Sequence, residues 1–114
     1  MFGKTLLSLA LIMPLTALAQ QADGTWRCVA NGNIPIGIVA ITGTNYTFTA
    51  TNTAFDPVDN ASNGTGTLAY DGPYLLPQDG PLVSDFGVTG HLDDNIGYLD
   101  WNNNDGNLMG CRRA

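Results

Sequence analysis

The chain of 114 residues has little positive charge, and charged residues make up only 12% of it. It contains no glutamate, and Lys4, three arginines and one histidine stand against ten aspartates. The formal net charge is −6, and residues 20–114, which hold three arginines and ten aspartates, carry −7. Because phosphate contacts need clustered lysine and arginine, we expect no nucleic-acid partner and no attraction to anionic lipid.

Cysteine is almost absent as well. Cys28 and Cys111 are the only two, so a single intramolecular disulfide is the one available pairing. A bridge between them would close the loop over residues 28–111. In the chain-entropy model, closing a loop of that length stabilises a fold by roughly 4–5 kcal/mol. No Cys-x-x-Cys motif and no accompanying set of ligands are present, so we expect neither a metal nor another cofactor.

One long hydrophobic run exists, and it lies at the beginning of the chain. Lys4 precedes an apolar stretch over residues 6–18, and Ala17-Leu18-Ala19 places small residues where a signal peptidase reads them. The run is shorter than the ~20 residues that span a bilayer. We therefore predict a cleaved secretory signal over residues 1–19 and one domain over residues 20–114. The product would be periplasmic or secreted, without membrane attachment after cleavage.

No helical stripe occurs outside the predicted signal, and the remainder has the period-two alternation of β-strands. Strands are expected at residues 25–30, 34–42, 46–50, 65–70, 81–89, 96–101 and 107–112, with a short one at 74–76. Asn-Gly and Asp-Gly pairs between them favour tight hairpins. The pattern predicts an all-β domain, a small antiparallel up-and-down barrel or sandwich of seven or eight strands, expected to be a monomer.

The two cysteines suggest that the first and last strands pair. If Cys28 lies opposite Cys111, an antiparallel register places Trp26 opposite Arg113 and forms a cation–π pair on one face. The same register sets Arg27 against Arg112 on the other face, where like charges are destabilising. Three resolutions are open: an aspartate lies between them, the register differs, or the disulfide joins strands that are not adjacent.

The ends of the domain carry a family resemblance. Gly24-Thr25-Trp26 in the first strand, with Arg112 or Arg113 in the last, resembles the calycin group of lipocalins, fatty-acid-binding proteins and avidins. The Gly-Thr-Trp opening and Trp101 in the penultimate strand are most similar to avidins. In size and compartment the chain also resembles the small periplasmic lysozyme inhibitors. The resemblance implies a closed barrel that binds a ligand or a protein.

Catalytic and metal-binding patterns are weak. His91 has Ser84, Asp85, Asp93 and Asp94 near it in sequence, but Gly-x-Ser-x-Gly is absent and no oxyanion hole is apparent. The Asp/Asn-rich segment 100–106 departs from an EF-hand loop and is typical of a hairpin turn. Three Asn-x-Ser/Thr triplets, beginning at residues 45, 60 and 63, matter only in a glycosylating host. We expect a protein without enzymatic activity.

The segment over residues 52–64 is longer than an ordinary hairpin loop and carries Phe55 among acidic residues. It is interpreted either as a mobile surface loop or as a binding element. The function expected is an exported binding module for a small apolar molecule or a cationic protein. The alternatives are a periplasmic inhibitor of a cationic hydrolase and a structural envelope protein. The candidate binding residues are Trp26, Phe55, Asp56, Asp59, Trp101 and Arg113.

Overall fold

The computed structural model describes residues 21–114, and the predicted signal lies outside them. Eight antiparallel strands form one sheet in which each strand bonds to the next and the eighth to the first, which closes a barrel. The strands are β1 (Gly24–Ala30), β2 (Ile34–Thr42), β3 (Asn45–Ala50), β4 (Gly64–Asp71), β5 (Tyr74–Pro77), β6 (Thr89–Asp93), β7 (Tyr98–Asn103) and β8 (Gly106–Arg113). The all-β, up-and-down prediction is confirmed, as a barrel and not a sandwich.

The disulfide joins the first and last strands as predicted. Cys28 in β1 lies directly opposite Cys111 in β8, with their Cα atoms 4.1 Å apart. The predicted register is confirmed at Trp26 against Arg113 and at Arg27 against Arg112. The bridge therefore lies across the seam that closes the barrel, and it indicates an oxidising compartment.

Alternation along the strands fills the barrel with apolar side chains. In β3, Tyr46 and Phe48 point inward, and Thr47 between them is exposed. The largest fully buried side chains include Trp26, Val39, Leu75, Leu82, Leu99, Trp101 and Met109. Small barrels of this kind are filled by their own residues. The buried aromatic residues of the strands, Trp26, Tyr46, Phe48 and Trp101, thus fill the interior of the barrel.

The prediction of a strand over residues 81–89 is wrong. Residues Pro81–Ser84 form one helical turn, α1, and β6 begins only at Thr89. Pro81 has no N–H for a strand ladder, but its fixed φ suits the first position of a helix. The turn places Leu82, fully buried, and Phe86 against the core, where the Phe86 ring meets Phe48 edge-on at 5.1 Å.

Alternate turns of an up-and-down barrel lie at alternate ends. One end holds α1 and the segment between β3 and β4, and the other holds Asp23, the β2–β3 turn and Arg113. The predicted strand over 96–101 begins later, at Tyr98, since Ile96 lies in an exposed turn. Within residues 21–114 no helix has the length and apolar character needed to cross a membrane.

Candidate functional site

Three arginines meet at the seam between β1 and β8. Because side chains alternate along a strand, Arg27 and Arg112 lie on the outer face, beside the inward-facing cysteines. Arg113, one residue further, lies at the end of the barrel. These are all the arginines in the sequence. The seam therefore concentrates the cationic side chains of an otherwise acidic domain.

None of the three expected arrangements relieves the repulsion between Arg27 and Arg112. The register is as predicted, the strands are adjacent, and each guanidinium lies over its own aromatic ring. The Cζ of Arg27 is 5.3 Å from the ring centre of Phe55, and that of Arg112 is 4.9 Å from the ring centre of Tyr98. Two cation–π contacts, each worth about 0.5–1 kcal/mol at an exposed site, offset part of the repulsion.

Arg113 closes the end of the barrel above Trp26. Its Cζ lies 4.4 Å from the ring centre of the indole, which confirms the predicted pair. Its Nη2 donates a hydrogen bond to the carbonyl oxygen of Gln21, and the Trp26 Nε1–H donates to the carbonyl oxygen of Ala22 at 2.9 Å. The chain just before β1 is therefore held across the last strand.

Phe55 reaches Arg27 from a strained turn. Its φ is +61°, a left-handed conformation that bulky residues rarely adopt. The Asn52 carboxamide oxygen fixes this turn by accepting hydrogen bonds from the backbone N–H groups of Ala54, at 2.9 Å, and Asp56, at 3.0 Å. Strain of this kind persists only where surrounding contacts determine it, and it is concentrated at functional sites.

Two further asparagines secure the rest of this segment. The Asn63 side chain accepts from the Ala50 N–H at 2.7 Å and donates to the Val58 carbonyl at 2.9 Å. Asn60 accepts from the Ser62 N–H at 2.8 Å. The segment is therefore a turn structure fixed by asparagine side chains, which holds Phe55 in place.

Tyr98 lies flat over a glycine. A Cβ added to Gly110 would fall within 1.8 Å of the Tyr98 hydroxyl oxygen, so only glycine leaves room for the ring. The ring crosses β8 and reaches the side chain of Arg112, its cross-strand neighbour. The absence of a side chain at Gly110 thus sets the position of the aromatic partner of Arg112.

Together these residues line a surface cleft of about 290 Å³, which we name the arginine cleft. Its lining consists of Arg27, Val29, Asn33, Phe55, Tyr98, Gly110, Arg112 and Arg113. Among residues 21–114, no arginine nitrogen comes within 4.0 Å of a carboxylate oxygen. Three guanidinium groups therefore line one concave surface with their charges unpaired.

The predicted binding residues separate into three groups. Phe55 and Arg113 line the arginine cleft, and Trp26 lies beneath Arg113. Trp101 is fully buried, away from this cleft, and its Nε1–H has no hydrogen-bond partner among the described residues. Asp56 and Asp59 are exposed in the segment that carries Phe55. Sequence reasoning missed Arg27, Arg112 and Tyr98 as site residues, although the Arg27–Arg112 opposition pointed to two of them.

His91 lies in the middle of β6. Its ring packs against Tyr74 at 5.2 Å, and its cross-strand neighbours are Tyr74 and Asp100. The Ser84 hydroxyl donates to the Gly80 carbonyl at 3.0 Å instead. In segment 100–106, the Asn103 carboxamide oxygen accepts from the Asp105 N–H at 2.9 Å, an Asx turn. Across residues 21–114, no group of three or more potential metal-binding side chains is present.

Two tyrosines on the inner face have raised pKa values. Burial, with the charge of Asp23 as a smaller cause, raises the pKa of Tyr70 to about 12. Burial is also the main cause that raises the pKa of Tyr46, whose hydroxyl donates to the Asp79 carbonyl at 2.7 Å. Both phenols therefore stay neutral at physiological pH and act as structural hydrogen-bond donors.

Comparison with protein-family models, with curated proteins and with solved structures finds no match for this chain. Its function is therefore inferred from the geometry and charge of its own residues.

Proposed function

We propose that residues 20–114 form an exported, non-catalytic binding module whose arginine cleft receives an anionic group of its ligand. The observation that carries the proposal is the placement of all three arginines, unpaired with carboxylates, around one cleft. Ten aspartates offer abundant alternatives for ion pairing. An arrangement that keeps every arginine away from them leaves the N–H donors of Arg27 and Arg112 for an external anion, while Arg113 uses one of its donors on the Gln21 carbonyl.

The aromatic stacks favour this role. Each guanidinium lies over an aromatic ring, which restrains its plane. Stacking leaves the edge N–H groups for a ligand, although one N–H of Arg113 already donates to the Gln21 carbonyl. A restrained guanidinium loses less conformational entropy when it binds. The N–H groups of a guanidinium lie in one plane and form bidentate hydrogen bonds with carboxylate and phosphate oxygens. The chemical class of the bound group is therefore a carboxylate or a phosphate.

The remaining repulsion between Arg27 and Arg112 supports an anion as well. Like charges directly opposite on neighbouring strands are destabilising. An anion between the two guanidinium groups turns that repulsion into two attractions. The binding free energy would include this relief, so the cleft is more favourable for an anion than one arginine alone.

Export is part of the proposal. The predicted signal over residues 1–19 and the disulfide both favour delivery to the periplasm or the medium. The Gly24-Thr25-Trp26 opening with Arg113 over the indole supports kinship with calycin barrels, as their resemblance implies. Unlike a lipocalin cavity, however, the barrel interior here is filled by side chains, which favours a ligand on the outside.

The acidic surface bears on the partner. Asp56 and Asp59, exposed in the segment that carries Phe55, would attract a protein that is cationic overall. Such a protein, whether a hydrolase inhibited by this module or another envelope component, would place a carboxylate or phosphate in the cleft. A purely structural envelope role, by contrast, predicts no saturable binding of anions.

The test is calorimetric titration of residues 20–114 with citrate and with inorganic phosphate at low ionic strength. Saturable binding is expected, and Arg112→Gln should weaken it by about tenfold, the equivalent of one charge-assisted hydrogen bond. Asp71→Asn is the control, since Asp71 is exposed on β4, across the barrel from β8. It changes the net charge by one unit without touching the cleft, so binding should stay close to that of the wild type. Equal sensitivity to both substitutions, or no binding, would contradict the proposal.

A further inference from the structure

A second cleft lies on the same outer surface and has a different chemistry. It measures about 270 Å³ and is lined by Tyr74, Gly87, Thr89, His91, Asn102, Asn103 and Asn104. We name it the amide cleft. It combines two aromatic rings in tilted contact, three carboxamides and the hydroxyls of Tyr74 and Thr89, and no aspartate or arginine lines it. Tyr74 is 47% exposed, which leaves a ring face open to a ligand.

Strand β7 connects the two clefts. Its outward residues are Tyr98 in the arginine cleft, Asp100 in the middle and Asn102 in the amide cleft. Outward positions on a strand recur every second residue at about 3.4 Å per residue, so Tyr98 and Asn102 are ~14 Å apart. Asp100 pairs with His91 on one side and Gly110 on the other. A ligand of several rings could thus contact both clefts at once.

We infer that the ligand is a saccharide that carries an acidic sugar next to neutral ones; this rests on the proposed function of the arginine cleft. The carboxylate of the acidic sugar binds Arg27 and Arg112. A neutral ring lies against Tyr74, since the C–H face of a pyranose complements the negative face of an aromatic ring. The side chains of Thr89, Asn102 and Asn104 supply donors and acceptors for ring hydroxyls.

Asp100 sets the direction of the ligand. Its carboxylate accepts a hydrogen bond from the Asn107 Nδ2 group at 3.3 Å and has lone pairs left for ligand hydroxyls. It would repel an anionic group at the midpoint between the clefts. The acidic sugar is therefore confined to the arginine end, and the neutral sugars extend toward Asn102.

The same arrangement disfavours other multivalent ligands. A polymer with a charge on every unit, such as a nucleic acid, needs cations along its whole length, whereas here they lie at one end only. A hydrocarbon ligand would bury the amides of Asn102 and Asn104 without compensating hydrogen bonds, which is costly. A polyhydroxylated ligand with one acidic end satisfies both clefts.

The experiment is an array of acidic oligosaccharides and their neutral counterparts, followed by calorimetry of those that bind. The calorimetry includes 3′-sialyllactose and a glucuronosyl-xylotriose, which separate two sources of the acidic sugar. Lactose, xylotriose and the free acidic monosaccharides are the references. An acidic oligosaccharide should bind about tenfold tighter than either of its parts, since two clefts act together.

Paired variants identify the two ends. Tyr74→Ala should weaken binding of the oligosaccharide by about fivefold and leave the free acidic sugar unaffected, and Tyr74→Phe, which keeps the ring, should bind like the wild type. Arg112→Gln should weaken both ligands. Thermal melting of each variant checks that the barrel is folded.

Two failures are distinguishable. If citrate binding depends on Arg112 but no acidic oligosaccharide binds more tightly than its acidic sugar alone, or Tyr74→Ala has no effect, the saccharide inference is overturned and the arginine cleft stands. If citrate binding itself does not depend on Arg112, the proposed function fails.

Discussion

The inner and outer faces of the β1–β8 seam share the same two strands but carry different kinds of side chain. The inner face presents Cys28, Cys111 and Met109, all fully buried. The outer face of the same strands presents Arg27 and Arg112, exposed and opposite each other. Arg27 lies one residue before Cys28, and Arg112 one residue after Cys111. Period-two alternation alone separates a crosslinked core from a cationic cleft.

This contrast shows where stability is generated and where it is lost. Each apolar side chain buried on the inner face contributes about 1.5–3 kcal/mol. On the outer face, two like charges oppose each other and Phe55 holds a strained φ of +61°, and both features cost stability. The seam therefore has a stable inner layer that supports an unfavourable outer one, as expected where the outer layer binds a ligand. Substitutions on the two faces should have separable effects.

The largest effect is expected from removing the crosslink. Cys28→Ala combined with Cys111→Ala frees a loop with a sequence separation of 83 residues and should lower the free energy of unfolding by roughly 4–5 kcal/mol. Urea denaturation of the variant and of the oxidised wild type measures the loss. Where the variant remains folded, its affinity for citrate should match that of the wild type. A stable variant with impaired binding would contradict the separation of the faces.

A pair of glycines provides a matched test of the two faces. Gly90 lies beneath Trp101 inside the barrel, and Gly110 lies beneath Tyr98 outside it. Gly90→Ala would place its Cβ 2.8 Å from the Trp101 Cζ3 atom, and overpacking of a core typically costs about 1–3 kcal/mol. Gly110→Ala would instead displace the Tyr98 ring toward solvent and separate it from Arg112.

The expected outcomes for this pair are opposite. Gly90→Ala should lower the melting temperature and keep citrate affinity. Gly110→Ala should lower citrate affinity severalfold with a smaller loss of stability, because the displaced atoms are at the far end of one side chain. Thermal melting and calorimetry on both variants decide the point. If both variants lost stability and citrate affinity to the same extent, the cleft would not be separable from the folded core.

Much of the inner face could be predicted from the sequence. Two cysteines allow one pairing, and alternation around Cys28 and Cys111 gives the register and the Trp26–Arg113 contact. These inferences succeed because two cysteines allow a single pairing and the strand period is fixed, so few registers satisfy both. The segment 81–89 was mispredicted because an apolar stretch of that length fits a strand as well as a helical turn. Pro81 after Gly80 was the signal for the turn.

The outer site was less predictable, for a physical reason. Phe55 approaches Arg27 from a turn between β3 and β4, and its left-handed φ depends on hydrogen bonds to the Asn52 side chain. Nothing in the local sequence makes phenylalanine favourable in that conformation. Tyr98 takes its position beside Arg112 only because Gly110, two residues away on β8, leaves space for the end of its side chain. Such contacts depend on tertiary packing, so a single sequence reveals the arginines but not their arrangement.

The smallest effect is expected from alkaline pH, and it should act on the inner face alone. Tyr70 packs against the core and donates a hydrogen bond to the Gly43 carbonyl at 2.6 Å, and burial raises its pKa to about 12. As the pH rises above 10, the unfolded chain releases this proton before the folded chain does. The unfolded state is thereby favoured, so stability present below pH 10 should be lost between about pH 10 and 12.

Tyr70→Phe isolates this contribution, since Tyr46, whose pKa is also raised, is retained in both proteins. Urea denaturation at a series of pH values should show a shallower decline for the variant between pH 10 and 12. At each pH, the folded fractions of the wild type and of Tyr70→Phe should bind citrate with the same affinity, because Tyr70 does not line the arginine cleft. Parallel stability profiles for the two proteins would remove Tyr70 as the cause. If citrate binding were lost as Tyr70 loses its proton, the inner face would influence the arginine cleft. That result would contradict the separation of the two faces that the alternation of β1 and β8 predicts.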